Sequence, residues 1–149
     1  PTVRDGQVYV ASSDTQTYGN ETRLFALDAE SGEVAWDVAI DGGSSGSVAA
    51  TGDLVIAATW HGTLHALDAA TGEQRWRRTV DHGITGTPAV ADGTVYATGI
   101  GDGVHAVAAA DGTHLWNAPI DDGTPEAPAV AGDAVFVGTD RSRLYAFGP

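Results

Sequence analysis

Short apolar runs separated by glycine-rich polar turns recur along the chain. In the stretch from Thr87 to Ile120 the runs are TPAVA, TVYATG, GVHAVAA and THLWNAPI, with Asp92-Gly93 between the first two and Asp111-Gly112 between the last two. Asp-Gly is a dipeptide of tight hairpin turns, so this stretch predicts four short antiparallel strands. The runs Leu24 to Leu27, Leu54 to Ala58 and Val135 to Gly138 are apolar at successive positions. Successive strand residues point to opposite faces, so such sheets are covered on both sides. No segment sustains a helical period, and the predicted class is all-β.

The pattern returns every forty residues. ALDAESGEVAW (Ala26 to Trp36), ALDAATGEQRW (Ala66 to Trp76) and AVAAADGTHLW (Ala106 to Trp116) hold alanine, glycine and tryptophan at the same places, and a fourth copy begins at Arg143 to Phe147. The preceding half repeats too, as Ser47 to Ala58, Thr87 to Gly99 and Ala127 to Gly138. This periodicity predicts stacked four-stranded units over approximately 1–46, 47–86, 87–126 and an incomplete 127–149. Small residues in the first strand of each unit (Val48 to Ala50, Ala89 to Ala91, Ala129 to Ala131) suit the crowded innermost position. The first unit is seven residues longer between Tyr9 and Trp36, and its surplus falls in the polar run Ser12 to Thr22, read as an inserted loop.

The pattern A-x-D-x-x-x-G-x-x-x-W, followed by P-A-V-x-D-G-x-V-Y-V, resembles the pyrroloquinoline quinone (PQQ) type β-propeller repeat, along essentially the whole chain. Ala108 departs from it where Asp28 and Asp68 stand, as does Val48 where Pro88 and Pro128 stand. The resemblance implies that each repeat tryptophan docks on an adjacent blade. Packing supports that role: Ala26, Ala66 and Ala106 with Gly32, Gly72 and Gly112 leave slots with little side chain, which an indole fills with a large buried area. Asp28 and Asp68 are expected to accept bonds from turn amides. Propellers of this type usually close with eight blades. The expectation is therefore a C-terminal part of a longer protein or, second, a homodimer whose two copies close one ring.

Charge narrows the function classes. Fifteen aspartates and five glutamates face seven arginines and no lysine, giving a net charge of −13. Such a field repels phosphate backbones and anionic membranes, so nucleic acid is not an expected partner. Asp-rich, lysine-free composition predicts a haloarchaeal protein, because molar salt shortens the Debye length to about 3 Å. The alternative is an acidic secreted domain of a GC-rich bacterium. The absence of cysteine excludes disulfides and thiolate chemistry. No apolar run is long enough for a membrane-spanning helix, and the start at Pro1 suggests that something upstream has been removed.

Few residues carry candidate chemistry. PQQ-dependent dehydrogenases, as the resemblance implies, hold the quinone over a tryptophan, many of them against a disulfide of adjacent cysteines, with Ca²⁺ and a catalytic aspartate; PQQ and Ca²⁺ are expected here only if the chain is a fragment of such an enzyme. Trp60, off the tryptophan register and beside His61, is the candidate binding surface. Asp41, Asp81 and Asp121 recur on one predicted rim and read as solvated turn residues, because no short acidic loop gathers several oxygens. His65 and His105 occupy the places of Phe25 and Tyr145, an aromatic slot better than a zinc site. His61, His82 and His114 read as ordinary loop or strand residues. No catalytic or metal residues are assigned. Asn20-Glu21-Thr22 is an N-glycosylation acceptor triplet, mild support for an external location.

The expected function is a non-catalytic scaffold or ligand- and protein-binding module, similar to BamB-type lipoproteins and haloarchaeal surface proteins built from such repeats, without direct membrane insertion. An archaeon lacks an outer membrane, so the BamB role itself would not transfer. The rival readings are a quinoprotein dehydrogenase fragment and the sensor domain of a larger signalling protein.

Overall fold

The computed structural model describes residues 1–13, 21–44, 48–80 and 82–148, whose regular structure is entirely β-strand. Four sheets follow one another along the chain. The first contains β1 (Thr2–Arg4), β2 (Gln7–Ser13), β3 (Glu21–Asp28) and β4 (Val34–Asp41). The second contains β5 (Ala49–Thr51), β6 (Leu54–Ala58), β7 (Thr63–Asp68) and β8 (Gln74–Thr79). The third contains β9 (Ile84–Ala91), β10 (Thr94–Gly99), β11 (Gly103–Ala108) and β12 (His114–Ala118). The fourth holds three strands, β13 (Ala129–Ala131), β14 (Ala134–Gly138) and β15 (Leu144–Phe147). Within each sheet sequential strands pair antiparallel, and β1, β5, β9 and β13 lie side by side from sheet to sheet.

The apolar runs are covered on both faces because the sheets stack. Between the first two sheets, Tyr9, Leu24 and Ala26 pack with Val55, Ala57 and Leu67. Ile56, Leu64 and Ala66 pack with Val95, Ala97 and Val107 at the next joint. Val104 packs with Val135 and Val137 at the third, with Tyr96 and Tyr145 at its margin. Burying one such leucine or valine contributes about 1.5–3 kcal/mol, so the joints are the main source of cohesion.

The tryptophan slots are built by two successive sheets. Ala26, Ala66 and Ala106 are fully buried and pair across the strand with the tryptophan of their own repeat. The glycine beneath each docked ring comes from the next sheet: a Cβ on Gly72 would lie 2.8 Å from the Trp36 ring, and one on Gly112 would lie 2.7 Å from Trp76. The indole N–H groups of Trp36 and Trp76 donate to the carbonyls of Ala69 and Ala109, at 2.9 and 2.7 Å. Gly32 lies in the first of the described sheets, and nothing described comes within 4 Å of a Cβ placed there. Trp116, in the third sheet, is 36% exposed, beside a depression of about 570 Å³ that Tyr96 and Phe147 also line.

The turn before each slot explains the aspartates. Asp28 Oδ1 accepts from the amides of Glu30 and Ser31 at 3.1 and 2.8 Å, and Asp68 Oδ1 from those of Ala70 and Thr71 at 2.9 and 3.0 Å. Where Ala108 stands, the turn keeps its backbone bond from Gly112 to Ala108, and Asp111 accepts from the Thr113 amide instead. The ends of the inserted run are not loop. Ser12 and Ser13 pair with Arg23 and Thr22, which lengthens the hairpin of β2 and β3.

Candidate functional site

One end of the stacked sheets carries both the turns joining the two middle strands of a sheet and the segments that cross to the next sheet. These are tied by one repeated bond. The Trp60 amide donates to the Gly43 carbonyl at 2.9 Å, Ile100 to Gly83 at 2.9 Å and Asp140 to Thr124 at 3.2 Å. Trp60, Ile100 and Asp140 thus hold the same place on three successive sheets, forty residues apart. At this tip no strand covers the side chain, and Trp60 and Ile100 are 53% and 44% exposed. Gly83 lies between them: a Cβ there would run into the Trp60 carbonyl oxygen and come within 3.7 Å of Ile100 Cδ1. The glycine lets the two loops approach, so neighbouring sheets present an indole and an aliphatic side chain on one rim.

Polar groups surround this pair. His61 is exposed and lines a shallow depression of about 490 Å³ with Asp41 and Thr63. The Asp41 carboxylate is almost fully exposed, 3.8 Å from the Arg77 guanidinium, and Asp121 is exposed. Asp81 and Asn20 lie outside the described residues. Asp102 stands between two imidazoles, its Oδ2 2.7 Å from His105 Nε2 and 3.5 Å from His82 Nδ1. Among the described residues no three such groups are arranged to hold a metal ion.

The aromatic slot contains both repeat histidines. His65 and His105 are 2% and 6% exposed. His65 Nδ1 lies 3.1 Å from Gln74 Oε1, and burial pushes its pKa below the ordinary histidine value. His114, at the place of Gln74, lines a depression of about 320 Å³ with His105, Asp102 and Arg78.

Residues 20–149 match the family model described as outer membrane protein assembly factor BamB. The chain belongs to the BamB family. It is a propeller of PQQ-like repeats, with four sheets as its blades. The crystal structure of BamB from Moraxella catarrhalis superposes with a TM-score of 0.70 at 25% identity, over 95% of this chain and 50% of that one. The quinohemoprotein alcohol dehydrogenase from Comamonas testosteroni superposes with a TM-score of 0.71 at 24% identity, over 93% and 28%. A computationally designed protein, Ika4, gives 0.84 at 13% identity, over 98% and 87%. The last two likenesses concern the fold alone, and this BamB-family chain spans half of the Moraxella protein. No curated protein matches its sequence.

The blades set Trp60 and Ile100 on equivalent turns of neighbouring sheets, and sequence reasoning did not single out Ile100. The signal was present, because Ile100 stands forty residues after Trp60. One aliphatic residue among Gly99, Gly101 and Gly103 lacks the contrast of an off-register tryptophan.

Proposed function

We propose that this BamB-family chain is a non-catalytic, protein-binding propeller module that docks its partner on the rim carrying Trp60 and Ile100. The observation that carries this reading is that equivalent turns of neighbouring blades expose an indole and an isoleucine, Trp60 and Ile100. Large apolar side chains grouped at a solvent-facing edge favour protein contact, and tryptophan is prominent among binding hot spots. His61 and Asp41 supply a polar border of the kind that surrounds such anchors. The family description, an outer-membrane assembly factor, supports a role outside the cytoplasm. Further blades or a second copy complete the ring, and the acidic composition suits a high-salt habitat.

Site-directed photocrosslinking in the host tests the docking rim. A crosslinkable residue at position 60 or 100 is expected to give an adduct of one common size, whereas position 110, at the opposite end of the blades, gives none. Equal labelling from position 110, or no adduct from the rim, overturns the proposal. Saturable quenching of Trp60 fluorescence by pyrroloquinoline quinone with Ca²⁺ would turn the reading to the dehydrogenase alternative.

A further inference from the structure

The joint between the second and third blades carries a polar pocket that the repeat does not prescribe. It is the depression of about 320 Å³ beside His105 and His114, which Arg78, Thr79, Asp102 and Asn117 also line. One joint earlier, forty residues back, Val38 stands for Arg78, Gly62 for Asp102, Gln74 for His114 and Arg77 for Asn117. Val38 packs there beside Gly72, where a Cβ would come within 2.9 Å of its Cγ2, and Gln74 Oε1 meets His65 Nδ1 at 3.1 Å. The second joint replaces that apolar contact and that closed histidine pair with a guanidinium, a carboxylate, a second imidazole and an amide.

Arg78 is the unusual member of this group. Among the described residues the other six arginines each pair with an aspartate, and Arg78 pairs with no carboxylate, although the chain carries twenty acidic residues. Its Nη1 donates to the Gly112 carbonyl at 3.2 Å, which ties the side chain across the joint, while its buried Nε has no hydrogen-bond partner. His105 Nε2 is a second such nitrogen: Asp102 Oδ2 lies 2.7 Å away without the geometry of a hydrogen bond. Native structures leave few buried polar atoms unsatisfied, and two of them on residues of one pocket point to a polar ligand.

We propose that this pocket binds a small carboxylate, received by Arg78 with His114 and Asn117 as neighbouring polar contacts. A guanidinium presents a planar fork of N–H groups that matches the two oxygens of a carboxylate. Charge sets the class of anion. One guanidinium balances one negative charge, whereas Asp102 in the same lining, already drawn to His105 and to His82 at 3.5 Å, disfavours a phosphate dianion. The net charge of −13 repels anions at long range, but molar salt confines that repulsion to about 3 Å and leaves the contact with Arg78 to decide. A pocket of this size lies at the small end of ligand sites and takes a short organic acid or the terminal residue of a peptide.

Nuclear magnetic resonance of the histidine imidazoles, on the full chain in molar potassium chloride at neutral pH, tests the site with chloride as a standing competitor. Propionate is expected to shift the His105 and His114 signals saturably while His61, on the rim, stays unmoved. Inorganic phosphate is expected to bind more weakly. N-acetylglycylalanine and its C-terminal amide distinguish the two sources of carboxylate. Binding tighter than propionate that the amide loses assigns the pocket to a peptide end, and binding no tighter than propionate assigns it to a free acid.

Arg78→Val restores the residue of the preceding joint and is expected to weaken propionate at least tenfold, as loss of one partner of a charge pair does. Should valine disturb the joint, His114→Gln, likewise the residue of the preceding joint, is expected to weaken propionate severalfold, read from the His105 signal. The absence of a saturable shift in wild type overturns the proposal, as does binding that survives these replacements. Phosphate that binds as tightly as propionate, or an amide that binds as tightly as the free peptide acid, overturns the choice of a carboxylate. None of these outcomes touches the Trp60 rim, whose crosslinks are read separately.

Discussion

Gly32 and Gly112 share a backbone conformation, with φ of 73° and 72°, but not a neighbourhood. A side chain at either strains the left-handed turn by about 1 kcal/mol. Only at Gly112 would a Cβ also press into the Trp76 ring, 2.7 Å away. Overpacking of that kind costs a further 1–3 kcal/mol or so. Gly112→Ala is therefore expected to lower the urea midpoint well beyond Gly32→Ala, and equal effects would remove the indole from the account. The forty-residue period identifies both glycines as equivalent, but equivalence alone does not say from which copy the ring arrives. That depends on the direction in which the blades stack, which the repeat pattern does not encode.

At the scale of the element, the β7–β8 turn is secured by a carboxylate. Arg75, foremost, and then the Thr71 amide hold the Asp68 carboxyl at about 2, below its ordinary value of 3.8. A group whose pKa falls on folding stabilises the protein above its unfolded value and loses that contribution as pH falls through the folded value. The advantage of wild type over Asp68→Asn is therefore expected to be complete above about pH 4 and to vanish toward pH 2 in urea titrations. His65 has the same sign at higher pH: it is buried neutral, so protonation opposes folding as pH falls below about 6.5. Nuclear magnetic resonance titration should show its imidazole resisting protonation below that value.

The blade plan was legible because every blade repeats the same alternation of apolar strand and Gly-bearing turn. Less legible was the start of β9 at Ile84, where Gly86 and Thr87 give no strand signal and pairing with Thr98 and Gly99 extends the strand. On the rim, Trp60 stood out by breaking the tryptophan register, and Ile100 became visible only once the blades aligned the two turns.

For the whole molecule, charge and stacking act against each other. Twenty acidic residues crowd a stack held by apolar joints, and most of the ion pairs are exposed, such as Arg141 with Asp122 at 3.0 Å. Exposed pairs of that kind contribute little. Self-repulsion therefore grows as salt is withdrawn and the Debye length lengthens. Dialysis from molar salt into dilute buffer is expected to collapse the β signal in circular dichroism, and a spectrum indifferent to desalting would remove the halophilic reading.

The unequal covering of the four tryptophans also makes the molecule its own optical gauge. Trp36 and Trp76, enclosed between blades, should emit toward the blue, while Trp60 and Trp116 meet water and should emit toward the red. Covering the depression beside Trp116 would shift that indole's emission without touching the rim. A spectrum resolved by single Trp→Phe replacements could then tell cover over the last blade from contact on the rim, with no label attached.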